Sequence, residues 1–143
     1  MNTGDQQRGG ERGNGRSSTV GKQGYRDLVV WQKAMELVTA VYRVTRDWPH
    51  EEQYGLTSQV RRAAVAIPSN VAEGHGRSGR REFAHHVSIA YGSLCELETQ
   101  LLIAEDLDYG DAEATESLMD RIAEVRRLAS GLLRSLQAST LNH

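Results

Sequence analysis

Apolar residues recur along this chain at four- and three-residue steps in four separate stretches, the period of an amphipathic α-helix. In the first, Val30, Ala34, Leu37, Val41, Val44 and Trp48 share one face until Pro49 ends the run. In the second, Val60, Ala64, Ile67 and Val71 do the same, and Gly74, Gly76 and Gly79 close it. The third is the cleanest, with Phe83, Val87, Ala90, Leu94, Leu97, Leu101 and Ala104, and Ser78 offers it an N-cap. The fourth runs through Leu118, Ile122, Val125, Ala129, Leu132 and Leu136, with Asp111 at its start and Arg134 near its end, both favourable to the helix dipole. No stretch alternates as a strand does.

The expected connections, at about 49–53, 74–79 and 107–111, are too short for anything but a reversal between neighbouring helices. The predicted fold class is therefore all-α, an antiparallel up-down-up-down four-helix bundle over residues 25–137, with a frayed C-terminus at 138–143. Residues 1–24 hold seven glycines and almost nothing apolar, which predicts a flexible Gly/Arg-rich tail. The third helix is also apolar or small on a second stripe of Ala84, Ser88, Tyr91, Cys95 and Leu102. With Trp31, Val38, Tyr42 and Leu133 beside the main stripes, that width predicts self-association.

The second helix departs from a generic helix. Pro68 sits inside it, where it removes a backbone donor and crowds the carbonyl of Ala64. Ser69 can bond back into the broken ladder, and Asn70 can satisfy freed carbonyls or cross to another helix. Glu73 stands one turn before Arg77 and predicts an ion pair that supports the turn at Gly74.

Composition narrows the function. The net charge of −2 argues against a uniformly basic nucleic-acid binder, but the charges are segregated. Residues 60–81 carry Arg61, Arg62, Arg77, Arg80 and Arg81 against Glu73 alone. Residues 83–110 carry acids and neither lysine nor arginine. No run of about 18 apolar residues exists, so no membrane span is expected, and the N-terminus lacks the apolar region of a secretory signal. The lone Cys95 excludes an intramolecular disulfide, suits a reducing cytoplasm, and is expected to be a small buried residue.

Catalytic and cofactor patterns fail on their mechanics. Gly74-His75-Gly76-Arg77-Ser78-Gly79 spells G-x-G-x-x-G, but a helix precedes it where dinucleotide binding needs a strand. What survives is a turn whose following helix N-terminus presents free N–H groups beside Arg77, Arg80 and Arg81, a phosphate-binding arrangement. Glu82-x-x-His85 has no second copy, so a di-iron site is not expected. No Gly-x-Ser-x-Gly occurs. The expectation is a non-enzyme with no catalytic residue, metal or cofactor. Arg61 and Arg62 stay open between two roles: contact with phosphate, or pairing with acids such as Glu96 and Glu98 of a neighbouring helix.

The stretches Tyr25-Arg26-Asp27-Leu28-Val29-Val30-Trp31-Gln32-Lys33-Ala34, Tyr54-Gly55-Leu56-Thr57-Ser58-Gln59-Val60-Arg61-Arg62-Ala63-Ala64-Val65 and Ile67-Pro68-Ser69-Asn70-Val71-Ala72-Glu73-Gly74 carry a family resemblance, which reappears at Ile89-Ala90-Tyr91-Gly92-Ser93-Leu94-Cys95-Glu96-Leu97-Glu98. Together they resemble the bacterial four-helix-bundle family named after proteins encoded in intervening sequences of 23S ribosomal RNA. The resemblance covers about 25–137. It implies a homo-oligomer, typically a pentameric ring of bundles. It also brings in the accessory variability determinant of diversity-generating retroelements, a relative that binds a reverse transcriptase and its template RNA. Those relatives are strongly basic, whereas this chain is slightly acidic. Two functions are carried forward: an oligomeric accessory scaffold that associates with RNA, and a structural or protein-binding oligomer whose arginines are consumed at subunit contacts.

Overall fold

A computed structural model describes the chain from Gly24 to Leu141, with side chains through Ala138. The predicted tail, apart from Gly24, and residues 142–143 of the predicted frayed end lie outside the described residues. Four α-helices account for most of the rest: α1 (Val29–Thr45), α2 (Leu56–Gly76), α3 (Arg80–Asp106) and α4 (Ala112–Leu141). Short 3-10 turns at Gly24–Asp27 and His50–Glu52 precede α1 and α2. No strand is present among the described residues.

The helices meet along the faces that the periodicity marks. Leu37, Val41, Val60, Ile67, Leu94, Leu97, Leu101, Leu118, Ile122 and Val125 are fully or almost fully withdrawn from solvent in one continuous core. Val44, Phe83 and Leu132 reach it from its edge and remain partly exposed. The α2–α3 pairing is the most extensive, followed by α3–α4, α1–α2 and α1–α4. Small residues allow α2 to lie close on α3: Ala63, Ala64 and Gly74 are buried there, and a β-carbon on Gly74 would fall 2.5 Å from His86 Cβ.

Helix ends show where local sequence acts. Pro49 follows α1 after a turn in which Trp48 N–H donates to Thr45 O. The start of α2 is capped from outside the helix, by the Glu52 carboxylate accepting the Leu56 N–H at 2.9 Å. Ahead of α3 the capping position is Gly79, at φ 103°, and not Ser78. That φ lies where a β-carbon is disfavoured, so glycine fixes the boundary. At α4 the expectation holds, with Asp111 Oδ2 accepting the Ala114 N–H at 3.1 Å.

Pro68 is buried within an unbroken α2. Ser69 does not mend the ladder: its side chain is exposed and makes no hydrogen bond among the described residues. Asn70 crosses to the neighbouring helix and also bonds a carbonyl, that of Ala66 rather than the Ala64 carbonyl that Pro68 leaves without a donor. Its Nδ2 donates to the Ala66 carbonyl at 2.8 Å, and its Oδ1 lies 3.4 Å from His86 Nδ1 on α3. Cys95 corrects an expectation, since it is exposed. It follows Leu94 by one residue, about 100° around the helix from a core position.

Candidate nucleic-acid interface

The five arginines singled out by sequence do not form one site. Helix α2 separates them, with fourteen residues and about 22 Å of rise between Arg62 and Arg77. Arg61 and Arg62 stand at the elbow where α1 hands over to α2. Arg77, Arg80 and Arg81 stand at the α2–α3 corner, at the other end of the helix.

At the elbow Arg61 is held within its own chain. Its Nε donates to Thr45 Oγ1 at 2.9 Å, and its guanidinium lies 4.6 Å from the centre of the Tyr42 ring. Thr45 is fixed in turn, its hydroxyl donating to Val41 O at 2.8 Å. The pairing with Glu96 or Glu98 is therefore absent from the chain itself. Glu98 is taken by Arg126 of α4, and Glu96 accepts from Gln100 at 3.3 Å. Both acids sit on α3, but the Glu98 carboxylate faces α4. Arg62 is exposed, borders a hollow between α2 and α3 with Gln59 and Glu96, and has no ion-pair partner among the described residues.

At the corner, Arg77 donates to Glu73 Oε2 at 2.9 Å, the predicted ion pair one turn apart. That hydrogen bond, together with the nearby His86, holds the Glu73 carboxyl below its ordinary pKa. Arg80 and Arg81 are exposed, with no ion-pair partner among the described residues. They open α3, whose first N–H groups receive no side-chain cap. His75 packs edge-on against Phe83 at 5.4 Å, and His85 against His86 at 5.6 Å. Gly24, the first described residue, lies against His75. No grouping of three or more His, Cys, Asp or Glu side chains that could hold a metal occurs among the described residues.

Sequence reasoning missed the company Arg61 keeps. Tyr42, Gln53, Tyr54, Ser58, Arg61 and Arg62 border an open trough of about 500 Å³. Arg46 and His50 border an adjoining hollow of about 230 Å³ that shares Gln53 and Arg61 with the trough. The one local signal is the i, i+3, i+4 spacing of Tyr42 and Thr45 on α1 and Arg46 at its C-cap, which puts them on one face.

The fold and this surface define an all-helical bundle with cations displayed at both ends of one helix. No described helix is long and apolar enough to cross a membrane. The chain belongs to the 23S rRNA-intervening sequence protein family, whose model matches residues 26–131. Among solved structures it is similar to a protein of unknown function from the S23 ribosomal protein family of Bacteroides thetaiotaomicron. The TM-score is 0.69 at 21% sequence identity, over 74% of this chain and 96% of that one, a likeness of fold. Comparison with curated proteins found no match.

Proposed function

We propose that this chain is a non-enzymatic, cytoplasmic accessory scaffold that associates with RNA as a homo-oligomer. Consecutive helices run antiparallel, as the short turns require, and the bundles assemble into a ring, a pentamer by family resemblance. The carrying observation is that Arg62, Arg80 and Arg81 face solvent without ion-pair partners among the described residues, in a chain whose other cations include several spent on its own acids. Each subunit then offers a weak cationic end at the α2–α3 corner. Repetition around a ring gives avidity that one bundle lacks. A reverse transcriptase is the protein partner the resemblance suggests, in the manner of retroelement accessory proteins.

The second reading, a structural or protein-binding oligomer with no nucleic-acid role, draws on two observations. Arg61 and Arg77 are already engaged within the chain. Apolar side chains also remain uncovered, on α3 at Ile89, Leu102 and Ile103 and in a groove between α1 and α2 lined by Trp31, Met35, Val38 and Val65. Sedimentation combined with an RNA gel shift at two salt concentrations separates the readings. RNA binding that weakens with salt, and whose salt slope flattens in Arg80→Gln/Arg81→Gln, supports the first. Oligomers that ignore RNA at both salt concentrations support the second.

A further inference from the structure

We propose that the trough at the α1–α2 elbow receives one unpaired nucleotide of a single-stranded nucleic acid, its phosphate on the Arg61 fork and Arg62 and its base on the Tyr54 ring. The proposal rests on the reading that the chain associates with RNA, and it gives that reading a substrate class: unpaired strand rather than duplex.

The Arg61 guanidinium is held on one edge and open on the other. Its Nε is occupied by Thr45, and one face lies over Tyr42. Both terminal nitrogens are left without a hydrogen-bond partner among the described residues, at the rim of the trough. An arginine fixed on one edge with its paired donors free is organised in advance for a phosphate, which takes two parallel N–H bonds. Little side-chain freedom remains to be lost on binding. Arg62 adds a second cation on the same lip, and Arg46 stands across the adjoining hollow.

Tyr54 supplies the other half. Its side chain is 91% exposed and makes no ring contact or hydrogen bond among the described residues, although it adjoins the capped start of α2. A free aromatic face beside a cationic rim is the pairing that single-strand binders use, the ring taking a base and the cations the backbone. Duplex bases are already stacked and offer the ring no face. The trough's volume of about 500 Å³ suits one nucleotide, and Gln53 and Ser58 supply polar atoms for a base edge. Three acids lie in the α1–α2 connection. Glu52 is occupied by the Leu56 N–H and the Tyr109 hydroxyl, while Asp47 and Glu51 are exposed and limit the affinity of a single subunit.

The test titrates the full chain with a short single-stranded RNA carrying 2-aminopurine, whose fluorescence falls when it stacks. Wild type quenches the probe. Tyr54→Ala weakens binding by about tenfold to a hundredfold and abolishes the quench, whereas Tyr54→Phe, which keeps the ring, retains both. Arg61→Lys, which keeps the charge but not the fork, weakens binding with the quench intact at saturation. Arg80→Gln/Arg81→Gln weakens RNA binding while leaving the Tyr54 dependence unchanged. If Tyr54→Ala binds and quenches like wild type while Arg80→Gln/Arg81→Gln loses affinity, the trough is not the site and the RNA reading survives. If no variant nor the wild type binds RNA, both fall. Equal affinity for a duplex of the same sequence, or displacement of the probe by polyglutamate as readily as by unlabelled RNA, overturns the assignment to an unpaired strand.

Discussion

The Tyr109 hydroxyl donates a 2.7 Å hydrogen bond to the Glu52 carboxylate, joining the connection after α3 to the one before α2 across 57 residues. Glu52 also accepts the Leu56 N–H, so one carboxylate caps a helix and ties two connections together. These bonds hold the Glu52 carboxyl below its ordinary 4.5, the Leu56 N–H contributing most and the Tyr109 hydroxyl next. The same hydrogen bond pushes the Tyr109 phenol above 10.0.

A depressed carboxyl stabilises the fold above its unfolded pKa and loses that contribution as pH falls. A raised phenol stabilises the fold below its unfolded pKa and loses that contribution as pH rises. Tyr109→Phe should therefore melt below wild type, with the widest gap on the plateau between 4.5 and 10.0 and a narrowing gap on both sides. Thermal melts followed by circular dichroism across that range check this. A gap of constant width would remove the pair from the stability of the fold.

Two helical glycines make opposite predictions. A β-carbon on Gly74 would meet His86 Cβ at 2.5 Å and the Phe83 ring at 3.2 Å, and neither neighbour is the free end of a flexible chain. Gly74→Ala should destabilise by about 1–3 kcal/mol, overriding a propensity gain of under about 1 kcal/mol. A β-carbon on Gly92 has nothing within 4 Å, so Gly92→Ala should stabilise the single bundle by up to about 1 kcal/mol. Urea unfolding of the two variants decides both signs.

The helices and core were legible because periodicity is local: Leu37, Ile67, Leu94, Leu97 and Ile122 need only their own spacing to be assigned inward. The ion pair of Glu73 with Arg77 was legible for the same reason, the two residues standing four positions apart at the end of α2. What failed depended on rotation or on neighbours distant in sequence. Cys95 lies one residue past a core leucine and points out. Arg61 finds a threonine rather than an acid because Thr45, at the end of α1, reaches it first. Glu98 faces Arg126 of α4. The elbow trough draws on both sides of the α1–α2 connection, and no sequence window holds Tyr42 and Arg61 as neighbours.

Asn70 tests the part of the motif around Pro68 that the structure makes specific. Its side chain bonds the Ala66 carbonyl and reaches His86 on α3, so it holds the two most extensively packed helices in register. Asn70→Ala should cost about 0.5–1.5 kcal/mol, the net worth of a part-buried hydrogen bond. Ser69→Ala, at an exposed and unbonded position, should fall within about 0.5 kcal/mol of wild type. Chemical denaturation of the two variants side by side separates an active asparagine from a passive serine.

The proposed ring makes the sharpest prediction about assembly. Head-to-tail contacts that close a ring need two different surfaces on each subunit, whereas one self-complementary patch stops at a dimer. Two of the uncovered apolar surfaces among the described residues are the groove of about 360 Å³ that includes Met35, between α1 and α2, and the face of α3 that carries Leu102. Met35→Glu should spoil the first and Leu102→Glu the second, each alone yielding monomers in sedimentation. Mixed in equal amounts, the variants retain one intact pairing, the groove of the Leu102→Glu chain against the α3 stripe of the Met35→Glu chain. The mixture should therefore sediment as a dimer and grow no further. A Leu102→Glu chain that sediments as wild type does would take α3 out of the seam, and a mixture that stays monomeric would replace the head-to-tail ring with a self-complementary contact.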